Sequence, residues 1–255
     1  MPLFVVRVWL PDRPGALGAV ASRIGSVRAD VVGIDILERG AGRAVDELTI
    51  DIEDPQHVDL LIKEIGQVDG VDVEHVRPAR AVLGDRAVEA LDLAAAIASA
   101  TDREELIDEV VSGTAALFGA DWVAAVSMAR PPAVVSSVGD DLPSAEWMAA
   151  FAFGAASGAD TEPSGVSPRA ATGGGVVIGE LACASLGESV DHGPDGLELL
   201  LSRRDLPLRE VERSLLERLS SLARTRLAAL PSATVPSATV PSATVPSATV
   251  PSADA

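Results

Sequence analysis

The order of helical and strand periods over residues 3–76 constrains the fold of this chain more than any other feature of its sequence. Leu3 to Leu10 is an apolar, β-branched run that ends at Pro11, which is typical of a strand. An apolar i, i+3, i+4, i+7 spacing then predicts a helix that begins near Pro14, with a face formed by Leu17, Val20, Ala21 and Ile24. The two patterns return downstream, with strands at 31–37, 47–53 and 71–76 and a helix at 58–65. The order is therefore strand, helix, strand, strand, helix, strand.

This βαββαβ order predicts an α+β domain at residues 1–78. Its two helices are expected to cover one face of a four-stranded antiparallel sheet, which is the ferredoxin-like arrangement. The alternation of apolar and polar residues over 47–53 is typical of a strand that is buried on one face only. Residues 79–86 are assigned to a linker.

A second α/β domain is predicted at residues 87–230. Asp102 is expected to cap the start of one of its helices, and Gly119 is expected to end that helix. The segments with helical spacing lie at 91–98, 102–118, 147–156 and 208–230, and the strand-like segments lie at 122–128, 133–138, 175–185 and 197–201. The last helix is the longest and carries an apolar stripe, so we expect it to pack on its own sheet or on a second subunit.

The end of the chain, residues 231–255, repeats the unit PSATV four times and finishes with PSADA. A proline in every unit prevents a continuous helix or central strand. Since the unit has no large side chain that could bury surface, we predict a disordered tail. The repeat is consistent with a Pro-rich docking segment. It is also what slippage of a short DNA repeat would produce, and we favour this second interpretation.

The net charge of −18 excludes several classes of function. Nucleic-acid binding requires clustered basic side chains, and an acidic chain is also repelled by anionic membranes. The longest apolar stretch, residues 147–159, falls short of the roughly 20 residues that a membrane span needs. The first residues lack the charged segment of a signal peptide, and Cys183 has no cysteine to pair with. A cytoplasmic location is therefore expected.

The string LPDRPGAL at Leu10–Leu17, between a strand and a helix of this unit, resembles the corresponding loop of the ACT domain, a small-molecule regulatory module. VRADVVGIDI at Val27–Ile36 and the later DGVDVEHV are similar to the same family, so the resemblance covers residues 3–78. It implies edge-to-edge pairing in a homodimer and binding of an amino acid or similar effector at the shared interface.

Two parts of the second region, residues 91–126 and 197–227, resemble a GAF-type sensory domain. The resemblance implies a GAF-like α/β sandwich closed by the last helix. Residues 137–185 depart from the GAF pattern. A ligand pocket would lie there, so the resemblance does not say whether this domain binds a ligand.

The loop from Asp12 to Leu17 is the candidate binding site. Pro14 in the first helical turn would fix φ, and Gly15 would let a ligand approach the backbone. The free N–H groups of Gly15, Ala16 and Leu17 would then receive a carboxylate. The same residues also suit a tight turn that binds nothing, and both interpretations remain open.

The ACT resemblance adds Asp30, at the start of the second strand, from the partner subunit. Relatives that bind amino acids often carry Asn at the positions of Asp12 and Asp30. Two carboxylates would instead favour an ammonium group or several hydroxyls, so the effector stays open. Arg13 would neutralise part of this negative charge or remain solvated.

Catalytic and metal-binding patterns are not found in the sequence. His57, His75 and His192 are not spaced as zinc ligands, and Cys183 between two alanines reads as a small buried residue. Asp191, His192 and Asp195 are typical of a turn. We therefore predict no enzyme activity, no cofactor and no metal.

The sequence predicts a non-enzymatic regulatory protein. It would bind an amino acid or similar small effector at an ACT interface and transmit binding through dimerisation or domain rearrangement. Any outgoing signal would pass through an unidentified protein partner. The alternative is an adaptor that dimerises through the ACT-like sheet and binds no ligand.

Overall fold

The computed structural model describes residues 2–79, 85–156, 176–178, 180–187, 196–204 and 206–231. The predicted tail beyond residue 231 and the turn with Asp191, His192 and Asp195 lie outside the described residues. So does most of the predicted linker, since residues 80–84 are not described.

The first domain has the predicted βαββαβ order. Its elements are β1 (Leu3–Pro11), α1 (Ala16–Ser26), β2 (Ala29–Gly40), β3 (Arg43–Ile52), α2 (Val58–Ile65) and β4 (Asp72–Pro78). The four strands form one antiparallel sheet in the order β2-β3-β1-β4, so β2 and β4 are its edges. This arrangement confirms the predicted fold of the first domain.

One face of this sheet packs under α1 and α2. The inward side chains of the central strands meet the buried faces of the helices in a single apolar core, formed by residues that include Val6, Val8, Leu48, Ile50, Val20, Ile24, Leu61 and Ile65. The alternation predicted for the third strand is therefore correct, and β3 continues it toward its N-terminus, because Ala44 also belongs to this core.

The second domain is built on another antiparallel sheet, of five strands. Its elements are α3 (Arg86–Ser99), α4 (Arg103–Phe118), β5 (Trp122–Ser127), β6 (Ala133–Gly139), α5 (Ala145–Ala156), β7 (Val176–Ile178), β8 (Leu181–Ser185), β9 (Leu197–Ser202) and α6 (Glu210–Ala229). The strand order is β6-β5-β9-β8-β7. Helices α3, α4 and α6 share a core with one face, and α5 packs on the other. The predicted α+β fold class, a ferredoxin-like domain followed by a second α/β domain, is confirmed.

The ends of α4 follow the predicted capping. The Asp102 carboxylate accepts a hydrogen bond from the Glu105 N–H at 2.9 Å, and Gly119 ends the helix in the left-handed conformation with φ 61°. The start of α3 differs from the prediction, since this helix begins at Arg86, a residue assigned to the linker, where Asp85 caps it. None of the helices in the described residues is long and apolar enough to cross a membrane.

Candidate functional site

The predicted binding loop follows β1 at one end of the first sheet. The Asp12 N–H donates to the Gly42 carbonyl at 2.9 Å, which ties the loop to the β2–β3 hairpin. The residues from Asp12 to Gly15 are exposed, whereas Ala16 is buried in the core and Leu17 is half-buried. The loop thus presents four residues to solvent on an anchored base.

Gly15 adopts a backbone conformation that side chains disfavour, with φ 88°. A Cβ added at this position would meet no atom within 4 Å. Glycine is therefore favoured at this position by the backbone conformation and not by a lack of space. The space next to its Cα is open to an approaching ligand.

The helix start corrects one part of the sequence interpretation. Since left-handed Gly15 interrupts the helical backbone, α1 begins at Ala16, and Pro14 lies in the turn before it rather than in the first helical turn. The Ala16 N–H was expected to be free, but it donates to the Arg13 carbonyl at 3.3 Å. A carboxylate would have to use the other N–H groups of this turn.

Asp30 lies at the opposite end of the sheet from this loop. The loop leaves β1 at Pro11, which pairs with Arg43, whereas Asp30 pairs with Asp51. At about 3.3 Å per residue, the eight positions from Arg43 to Asp51 span about 26 Å along β3. One subunit does not bring Asp12 and Asp30 together.

A second carboxylate, Asp46 on β3, lies four residues after Gly42, to which the Asp12 N–H is bonded, and the sequence interpretation did not single it out. Its neighbours on the adjacent strands are Val8 and Ile36. It is 3% exposed, and its Oδ1 atom has no hydrogen-bond partner. Burial raises the pKa of Asp46, the charge of Arg39 lowers it, and the charge of Asp12 raises it further. Extending the alternation of Leu48, Ile50 and Ile52 back to residue 46 would have placed it on the apolar face.

One edge of the sheet is β2, and it exposes three large apolar side chains. Val32, Ile34 and Ile36 are 42 to 47% exposed. Ile34 pairs with Leu48 and Ile36 with Asp46, so these two side chains lie on the side of the sheet that carries the helices, whereas Val32 falls at a shift of the register. The stripe lies in the middle of the strand.

The other face of the sheet is covered by the second domain through a buried cluster of charges, which we call the interdomain cluster. It comprises Arg7 and Glu47 of the sheet together with Arg86, Arg203 and Glu212 of the second domain. Glu212, on the first turn of α6, is fully buried. Its carboxylate accepts hydrogen bonds from Arg7 at 3.2 Å, from Arg86 at 3.1 Å and from Arg203 at 2.7 and 2.9 Å.

The second anion of the interdomain cluster is Glu47. It accepts from Arg7 at 2.8 Å and from Arg86 at 2.7 Å, and Arg77 lies 3.7 Å away. Burial alone would raise the pKa of Glu47, but the charges of Arg86 and Arg7 outweigh it and lower the pKa. The same balance, led by the hydrogen bond from Arg203, lowers the pKa of Glu212 well below its usual range.

A second contact between the domains surrounds Trp9. The Arg209 guanidinium, just before α6, lies 4.7 Å from the Trp9 ring centroid and forms an ion pair with Glu74 of β4. The indole N–H of Trp9 donates to the same Glu74 carboxylate at 3.2 Å. The start of α6 is thus held to the sheet at two places.

Neither contact was anticipated from the sequence. In the sequence, Glu212 is one of several charges on a helix with an apolar stripe, and Arg7 interrupts an apolar strand. Glu47 belongs to the polar side of the alternating strand, which is the side that the second domain covers. Within the part of the chain that the structure describes, no group of acidic, histidine or cysteine side chains could hold a metal ion.

Comparison with known families gives one match, to the ACT domain over residues 4–70. The match confirms the ACT resemblance, and an ACT domain indicates a regulatory role based on small-ligand binding. No curated protein matches the chain.

Among solved structures, the ACT domain from the GTP pyrophosphokinase of Chlorobium tepidum is 18% identical, with a TM-score of 0.26; the match covers 31% of this chain and 100% of that chain. The chromophore-binding domain of the Stigmatella aurantiaca bacteriophytochrome is 16% identical, with a TM-score of 0.38, and the match covers 88% of this chain and 94% of that chain. The corresponding domain of RpBphP3 from R. palustris is 12% identical, with a TM-score of 0.36 and coverages of 89% and 93%. Similarity at this level says nothing about a ligand.

Proposed function

With residues 4–70 identified as an ACT domain, we propose that this protein is a non-enzymatic regulator that binds a small amino acid or similar effector. The ligand would lie in a homodimer, between the Asp12–Leu17 loop of one subunit and Asp30 of the other. The observation that carries the proposal is the placement of this loop and Asp30 at opposite ends of a sheet whose edge strand β2 is unpaired.

Pairing of two β2 strands across a twofold axis would join the two halves of the site. Antiparallel pairing reverses the strand direction, so Asp30 of one subunit would approach the C-terminal end of β2 in the other. That end leads into the hairpin to which the Asp12 N–H is bonded. Each dimer would then contain two equivalent sites.

The exposed stripe on β2 supports this pairing. Val32, Ile34 and Ile36 lie at the centre of the edge, where an exposed apolar strand favours association. The opposite sheet face is covered by α6 and the interdomain cluster, so the edge and the helical side are the surfaces of this sheet that a second subunit could use.

The charges of the site suit an amino acid. Asp12 and Asp30 are both exposed and would attract an ammonium group, while the remaining N–H groups at the start of α1 would attract a carboxylate. Open space at Gly15 would allow the ligand to lie against the backbone.

Transmission would use the interdomain cluster. Glu47 joins the central strand β3 to Arg86 of α3, and Arg7 of β1 contacts Glu212 of α6. A ligand that favours one arrangement of the sheet edges would therefore also bias the position of α6, by its difference in affinity for the two arrangements.

Isothermal titration calorimetry of the full chain against the twenty amino acids tests the binding, and sedimentation equilibrium tests the dimer. We expect heat for at least one small amino acid and a dimer that Ile34→Lys disrupts. A folded dimer that gives no heat with any amino acid would reject the ligand and support the adaptor alternative. A protein that stays monomeric at all concentrations would reject both.

A further inference from the structure

Asp46 is a buried carboxylate on the apolar face of the first sheet, and its hydrogen-bonding capacity is only partly satisfied. Its strand neighbours there, Val8 and Ile36, offer no hydrogen bond from their side chains, and its Oδ1 atom is enclosed and unpartnered. Buried polar atoms in proteins are almost always hydrogen-bonded, because leaving one unpaired is unfavourable. An aliphatic residue would suit this position better if packing were its only role.

The position of Asp46 links it to the candidate site. Asp46 lies on β3, four residues after Gly42 in the turn between β2 and β3. The Asp12 N–H donates to the carbonyl of this same Gly42. Burial is the main cause of the raised pKa of Asp46, and the charge of Asp12 adds to it. Asp46 therefore lies behind the exposed loop, at the same end of the sheet.

We infer that Asp46 is a ligand-binding residue, which holds the ammonium group of the effector together with Asp12 and so selects amines. This inference rests on the proposed function and adds a residue from β3 to it. An ammonium group donates three hydrogen bonds and carries a positive charge, which would add to that of Arg39 near Asp46. Its binding would convert the unfavourable burial of Asp46 into a charge-assisted contact.

Binding at Oδ1 requires a local displacement, because this atom is enclosed. The segment from Asp12 to Gly15 is the neighbouring part of the chain that lies outside the apolar core. The open space at Gly15 leaves room for that movement. Loop displacement would then couple ammonium recognition to the start of α1.

The test compares amino acids with hydroxy acids of the same shape, by calorimetry on the full chain. The probe pairs are glycine and glycolate, L-alanine and L-lactate, and L-serine and L-glycerate. The variants are Asp46→Asn and, as a control, Asp72→Asn. Asp72 is an exposed acid at the same end of the sheet, where it pairs with Arg43 at 2.7 Å, so this control removes the same charge without altering the apolar face.

The wild type and the Asp72→Asn variant should bind the amino acid at least about tenfold more tightly than its hydroxy acid, as expected for a charge-assisted contact. In Asp46→Asn this preference should fall to within about threefold. The melting temperature without ligand should not fall in Asp46→Asn, which separates lost recognition from lost folding.

An undiminished preference for the amino acid in folded Asp46→Asn would overturn the assignment of Asp46 and leave the proposed function intact. Absence of heat from all six probes with the folded wild type would instead reject small amino acids as effectors, and the role of Asp46 with them.

Discussion

Asp46 and Glu47 are adjacent on β3, and both are buried, yet their surroundings are opposite. Asp46 faces the apolar core beneath the helices, where its Oδ1 has no partner. Glu47 faces the second domain, where Arg7 and Arg86 donate to both of its carboxylate oxygens. Burial alone therefore does not determine what an acidic residue contributes, because compensation by neighbours sets both the sign and the size of the effect.

The largest expected effect is on the compensated side of the sheet. Glu212→Gln removes the anion shared by Arg7, Arg86 and Arg203, so Arg203 loses this carboxylate partner while Arg7 and Arg86 keep Glu47. We expect a loss of about 3–5 kcal/mol in the free energy of unfolding, measured by urea denaturation. Glu210→Gln, which neutralises an exposed acid on the same turn of α6, should change it by less than about 1 kcal/mol. Similar losses in the two variants would contradict a structural role for the interdomain cluster.

Acid should weaken the same cluster. The pKa values of Glu47 and Glu212 are lowered in the folded protein, so each carboxylate contributes stability that is fully present above its ordinary pKa. This contribution should decrease as the pH falls below about 4.5. Urea denaturation between pH 7 and pH 3 measures it, and Glu212→Gln should show a shallower decline than the wild type. Parallel curves for the two proteins would rule out Glu212 as a source of the pH dependence.

The Trp9 contact should contribute less than the interdomain cluster. Arg209→Lys keeps the positive charge near Glu74 but loses the planar group that lies over the indole. We expect a loss of about 1 kcal/mol in urea denaturation, and a similar loss in Trp9→Leu. Combining the two substitutions should cost less than the sum of their separate effects, because they remove one interaction. Additive losses would show that the ring and the guanidinium stabilise the protein independently.

Much of the fold could be predicted because the signals are local. The spacing of Leu17, Val20 and Ile24 gave α1 except for its first turn, where left-handed Gly15 delays the helix. Gly119 and Asp102 gave the ends of α4 from their chemistry alone. Periodicity and capping depend on residues a few positions apart, so both can be recognised in a single sequence.

The interdomain cluster could not be predicted for the opposite reason. Arg7 and Glu212 are 205 residues apart, and no spacing rule joins them. The residue pattern on the polar face of β3 would be the same whether water or another domain covers that face. Asp46 lies between these cases: alternation places it inward, but only the three-dimensional contacts show that its oxygen lacks a partner.

Asp46→Asn should produce a small change in stability, and that change should have the opposite sign to the loss in Glu212→Gln. Removing an incompletely compensated buried charge is expected to raise the free energy of unfolding by about 1 kcal/mol at pH 7 without ligand. Since the pKa of Asp46 is raised in the folded protein, its ionisation opposes folding only as the pH rises above about 4. The advantage of the variant in urea denaturation should therefore vanish in acid and grow toward neutral pH, whereas the contribution of Glu212 grows in the wild type over the same range. If the variant is less stable than the wild type at neutral pH, the Asp46 carboxylate must make stabilising interactions in the folded protein. The buried acids on the two faces of β3 would then both stabilise the fold.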